Sequence, residues 1–132
     1  MDIKRLMQDY YYLCIELREY ERVQKEFIEE CNTIQKYITI PNTTLETMKK
    51  LYAFYDKRCK YITEQINKAD SLFNSLNEPY YTIMKKRYKE HKTLEVVADE
   101  TYYSYKSVSR KIKEAFEILG GAENERDRTT KK

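Results

Sequence analysis

KTLEVVADETYYSYKSVSRKIKEAFEIL, residues 92–119, is the stretch whose reading decides the C-terminal fold. Thr93 is placed to cap a helix, since its hydroxyl can accept from one of the free N–H groups that open it. Leu94, Val97 and Ala98 then fall on one helical face. The spacing ends that helix near Thr101, with Tyr102-Tyr103 at the corner and Ser104 as the next N-cap. Beyond it Val108, Ile112, Ala115, Phe116 and Leu119 repeat at three- and four-residue steps, the period of a second amphipathic helix. Opposite that stripe lie Tyr105, Lys106, Ser109, Arg110 and Lys113, which are polar and mostly cationic. A short helix, a turn and a longer basic helix read as a helix-turn-helix, whose second helix can enter the DNA major groove.

The same residues carry a resemblance. Thr93-Leu94-Glu95-x-Val97-Ala98, followed by Ser104-x-x-x-Val108-x-Arg110-x-Ile112-x-x-Ala115-x-x-x-Leu119, resembles the helix-turn-helix in region 4 of bacterial sigma factors. Tyr80-x-x-Ile83-Met84-x-x-Arg87-Tyr88 is similar to the helix that precedes it. Tyr103-Ser104 at the turn is similar to the pair found in phage late-gene transcriptional regulators of the ArpU and RinA type. The resemblance covers roughly residues 76–119 and departs from the pattern at two positions. Tyr102 stands where such turns often carry glycine, and Thr101 where they often carry leucine. A tyrosine at positive φ is strained, which leaves the turn's geometry open.

The resemblance implies a sequence-specific DNA-binding transcriptional regulator, an activator of late genes at a promoter that works with RNA polymerase. It implies a cytoplasmic protein, of a bacterial host cell if phage-encoded. Aligned on it, the base-reading positions fall on Tyr105, Lys106 and Arg110. The residues themselves give Lys92, Thr93 and Ser104 as backbone-positioning groups near helix starts, where free N–H groups also favour phosphate. Tyr105, Lys106, Ser109, Arg110 and Lys113 are the candidates for reading sequence. Lys106 and Arg110 can donate to O6 and N7 of guanine.

Working outward, residues 1–78 contain 12 Lys+Arg against 13 Asp+Glu, and residues 79–132 contain 13 against 9. The positive excess thus lies with the helix-turn-helix, where double-stranded DNA requires it. Two glycines, two prolines and 36% charged residues among 132 fit long helices rather than sheets. No apolar run approaches the roughly 20 residues needed to cross a bilayer. The start, MDIKRLMQDYYYL, is too charged for a signal peptide, so an intracellular protein is expected. Cys14, Cys31, Cys59 and the single His91 lack metal-ligand spacing. Reduced, packed cysteines and a solvated His91 are expected, with no cofactor and no metal. No nucleophile–base pair, phosphate loop or paired carboxylates point to an enzyme.

The N-terminal part keeps a heptad pattern: Ile3, Leu6, Tyr10, Leu13, Leu17, Tyr20, Gln24, Phe27, Cys31, Ile34 and Ile38. One helix of about 35 residues, roughly 50 Å long, follows from it. Pro41 ends it, and Asn42, Thr43 or Thr44 can cap the next helix. There Leu45, Met48, Tyr52, Tyr55, Cys59, Ile62, Ile66, Ala69, Phe73 and Leu76 repeat the rule. With the turn near 39–44, the two seams close layer on layer: Ile38 with Leu45, Gln24 with Cys59, Tyr20 with Ile62, Tyr10 with Phe73. An antiparallel coiled-coil hairpin is the expected form.

The expected organisation is therefore all-α. It comprises a coiled-coil hairpin over 1–76, a three-helix helix-turn-helix domain over 77–121, and a flexible tail over 122–132 after Gly120-Gly121. Met7, Cys14 and Ile28 widen the hairpin's apolar stripe, so a homo-oligomer, dimer or higher, is expected through it. Two other functions fit these features. One is packaging-site recognition of the kind a small terminase subunit performs. The other is a coiled-coil adaptor that binds the transcription machinery without DNA, using the tyrosines at the turn.

Overall fold

A computed structural model describes residues 2–130, with side chains described through Gly120. The described residues form an all-helical fold: α1 (Ile3–Gln35), α2 (Asn42–Asn74), α3 (Tyr80–Met84), α4 (Leu94–Thr101) and α5 (Tyr105–Thr130). A π-helical turn over Lys85–Lys89 continues α3. No helix among the described residues is long and apolar enough to cross a membrane.

The chain divides into two compact units. One joins Met1–Tyr11 to the chain from Asn67 onward, and the other is Tyr12–Ile66. This division differs from the sequence expectation of a break at 76/77. The first turns of α1 and the last turns of α2 belong with α3, α4 and α5. The reason is burial. Ile3, Leu6 and Met7 are buried, Met7 completely, as are Ala69, Phe73 and Leu76 in the same unit. Met7 therefore already has its cover, and its assignment to a dimer surface is corrected. Tyr10 packs edge-on against Phe73 at 5.5 Å between ring centroids, and its hydroxyl donates to Asp70 at 2.8 Å. Lys89 reaches the same carboxylate at 2.6 Å and lies over both rings.

The remainder of that unit is built on Ile83, Val97, Ala98 and Val108, with Leu94 and Ile112 against them. These are the inward positions of α3, α4 and α5. Ala115 and Leu119 extend the buried stripe along α5, and Tyr88 meets Phe116 edge-on at 5.7 Å. In the π-helical turn, Glu90 N–H donates to the Lys85 carbonyl at 3.0 Å, and Lys92 N–H to that of Lys86 at 3.1 Å. The sequence spacing predicts ordinary helix to Glu90, and the structure departs from it here. The wider turn sends neighbouring cations to separate partners: Lys86 to Glu100, Arg87 to the Lys92 carbonyl, and Lys89 to Asp70.

In the unit Tyr12–Ile66 the buried apolar side chains are Ile40, Cys59 and Ile62. Helix α1 stops at Gln35, a turn earlier than its heptads suggest. Its end tightens, with Lys36 N–H bonded to Thr33 and Tyr37 N–H to Ile34. Ile40, just before Pro41, is buried, whereas Ile38 is 62% exposed and leaves its predicted layer. The Gln24–Cys59 layer does meet, the thiol donating to Gln24 Oε1 at 3.5 Å. The Tyr20 ring lies 5.5 Å from that of Tyr55, and Arg58 pairs with Glu16 at 3.1 Å. All three cysteines are free, and burial raises the Cys59 thiol's pKa.

Two further expectations are corrected. Helix α5 runs through Gly120-Gly121 to Thr130, so neither the glycine stop nor the tail beginning at 122 holds among the described residues. Gly120 does not take a left-handed backbone. Two glycines cost a helix roughly 2 kcal/mol together, a penalty that Ala122, Glu123, Glu125 and Arg126 after them offset in part. His91 is not simply solvated. Although exposed, it has φ of 56° and stacks flat on Tyr11, centroids 4.4 Å apart and planes within 9°.

Candidate nucleic-acid interface

The corner between α4 and α5 is set by three local devices. Thr93, extended at φ −70° and ψ 161°, accepts from Val96 N–H at 3.4 Å and opens α4. Tyr102 closes α4 in the left-handed region, φ 61° and ψ 20°. Tyrosine therefore occupies the conformation that glycine would take at no steric cost. Ser104 Oγ accepts from Ser107 N–H at 3.1 Å and opens α5. Thr101 hydroxyl donates to the Val97 carbonyl at 2.6 Å, so the polar residue where leucine is usual stays satisfied. Thr93 and Ser104 thus act on their own helix starts. No acidic residue occupies the first turn of α5, whereas Glu95 occupies that of α4. Of the two helix starts, that of α5 has the more favourable charge for an anion.

The predicted reading residues lie on the first turns of α5. Tyr105, Lys106 and Arg110 are exposed, with 69% of the Arg110 side chain open to solvent. Arg110 is loosely tethered to Glu114 at 3.8 Å. Glu114 also accepts from the Tyr80 hydroxyl at 2.7 Å, the main cause of that phenol's raised pKa. Ser109 and Lys113 fall to one side, on the wall of an open groove of about 570 Å³. Its apolar floor includes Tyr88, Leu94, Ile112 and Phe116, and Lys4 and Arg87 contribute cations. Burial raises the Tyr88 pKa.

Lys92 stands differently from the rest. Its ammonium sits between Glu90 at 2.8 Å and Glu100 at 2.6 Å, and Lys86 shares Glu100 at 3.2 Å. Hydrogen bonds to Glu100 first and Glu90 second raise the Lys92 pKa. The same bonds hold Glu90 and Glu100 below the usual carboxylate range. A fully paired ammonium offers little to a phosphate until one carboxylate lets go.

Two contributors escaped the sequence reading. Lys111 holds its ammonium 5.0 Å from the Tyr103 ring and 5.9 Å from that of Tyr80, which joins the corner to α3. Glu100 ties α4 to the π-helical turn through Lys86 and Lys92. Fourteen residues separate Lys86 from Glu100, beyond any helical period, so no local spacing signals that pair. Comparison with family models, with curated proteins and with solved structures gives no match.

Proposed function

We propose that this chain is a sequence-specific DNA-binding transcriptional regulator in which α4, the Tyr102–Ser104 corner and α5 act as a helix-turn-helix. The observation that carries the reading is the outward row of Tyr105, Lys106 and Arg110 on the first turns of a helix whose opposite side is buried. A recognition helix needs such a pairing of a rigid inner stripe with long, free donors outside. Arg110 would take the bidentate guanine contact and Lys106 a second base edge. Thr93 and Ser104 fix the two helix starts that lie against the phosphates. Lys92 joins them only by exchanging Glu100 for a phosphate. On this reading the protein is a phage-type late-gene activator that works beside RNA polymerase in a bacterial cytoplasm.

The test is selection of bound sequences from a random duplex pool, followed by anisotropy titrations on the winner. Arg110→Ala should weaken the selected site by about 1–3 kcal/mol and relax one base pair. An unchanged preferred sequence and affinity would remove Arg110 from base reading. A genome-wide binding map separates promoter-proximal sites from a packaging locus, and binding without salt dependence would favour a protein partner instead.

A further inference from the structure

We infer that the Tyr12–Ile66 unit is an interaction surface for a second copy of this chain, carried by the exposed Leu51–Phe54–Tyr61 stripe of α2 and by opposite charge on α1 and α2. The first ground is burial. In this unit only Ile40, Cys59 and Ile62 are buried among the apolar side chains. Leu51 is 45% exposed, Phe54 57% and Tyr61 52%. A two-helix unit with so small an interior is not self-supporting, because its buried area falls far short of the chain entropy it must offset.

Spacing is the second ground. Leu51, Phe54 and Tyr61 each precede a seam position of α2, namely Tyr52, Tyr55 and Ile62, so they form one stripe beside the seam. Arg58, which continues the stripe, is held over the Tyr61 ring at 5.6 Å and by Glu16 at 3.1 Å. The aromatic side chains therefore stand beside an already neutralised cation, which makes their desolvation cheap. Two helices of about 24 residues present a face roughly 36 Å by 20 Å, or about 700 Å² per copy. A stable pair needs about 800 Å² from each partner, so this face is of the required order.

The third ground is charge, and it selects the occupant. Within Tyr12–Ile66, Glu16 is taken by Arg58 and both Glu19 and Glu26 by Arg22, which leaves α1 with Glu21, Glu29 and Glu30 against Arg18 and Lys25. In its companion α2, Arg58 is taken by Glu16 and Lys60 by Asp56, which leaves Lys49, Lys50 and Lys57 against Glu46 and Glu64. A two-fold pair that sets α1 of each copy on α2 of the other matches acid with base twice. Met7 takes no part, since it is wholly buried in the other unit. The association is independent of DNA and of the reading of α5.

Sedimentation equilibrium of the full chain is the test. Wild type should be dimeric at 100 µM, and Leu51→Glu/Phe54→Glu should be monomeric with unchanged helicity, since both side chains are exposed. Two charge variants complete the design: Glu29→Lys/Glu30→Lys, and Lys50→Glu/Lys57→Glu. Each alone should self-associate at least tenfold more weakly than wild type, because like charges then face one another. Mixed in equal amounts they should recover wild-type affinity within about threefold, since acid again faces base. A monomeric wild type overturns the inference, as does a Leu51→Glu/Phe54→Glu protein that dimerises normally. Failure of the mixture to recover overturns the α1-on-α2 pairing.

Discussion

Replacing Tyr102 by glycine should stabilise the α4–α5 corner, although it deletes a large aromatic side chain. The residue sits at φ 61° and ψ 20°, and its side chain is 96% exposed. Holding an L-residue in the left-handed region costs about 1–2 kcal/mol, from the clash of Cβ with the neighbouring carbonyl. Glycine removes that cost but loses about 0.5–1 kcal/mol more entropy on folding. At 96% exposure almost no packing is lost, so a net gain between about 0 and 1.5 kcal/mol remains. Tyr102→Val provides the opposite arm: its branched Cβ tolerates the left-handed region least and should lose about 1 kcal/mol. Hydrogen exchange of the α4 and α5 amides reads the affected unit directly, and urea melts of both variants provide a second measure. If the reading of α5 is right, Tyr102→Gly should also keep the selected DNA sequence. A glycine variant less stable than wild type, or a valine variant equal to it, would refute a left-handed corner in solution.

Met7→Ala should destabilise the unit containing α3–α5 by about 2–4 kcal/mol, because Met7 is completely buried there; Ile34→Ala, at 43% exposure, should cost under about 1 kcal/mol in the same chemical melts. Gln24→Met should raise stability by about 1 kcal/mol in urea, because Gln24 Nε2 is buried without a protein partner and only a weak thiol bond from Cys59 is lost. The Glu90 and Glu100 pKa values are depressed in the folded protein, so their contribution is present above the unfolded carboxylate range near pH 4.5. It is lost as pH falls through the lower folded values. Glu100→Gln should accordingly flatten the acid side of the stability profile, read as melting temperature against pH from 6 to 3. The same substitution frees Lys86 and leaves Lys92 with Glu90 alone, so it should strengthen binding to random duplex and steepen its salt dependence, measured by anisotropy across a salt series.

The sequence by itself determined those features that depend on neighbours within a turn or two. Thr93 and Ser104 cap the helices they precede, because a cap needs only its own hydroxyl and an N–H three residues on. Pro41 separates two long helices, and the inward stripe of α5 arises from its three- and four-residue steps. The all-helical class rests on the same local rules. Only the tertiary structure decided matters that depend on distant partners or on closely balanced energies. Met7 lies beside the seam at helical spacing, but its burial depends on the assembly of the unit from both ends of the sequence. Lys92 reads as a free cation until Glu100, two turns into α4, and Glu90 close on it. Helix α5 continues past two glycines although Ala122, Glu123, Glu125 and Arg126 offset only part of their roughly 2 kcal/mol penalty, so the local rule places its end too early. At Tyr102 local preference spoke against a left-handed tyrosine, and the packing of α4 and α5 on Ile83, Val97 and Val108 imposed it.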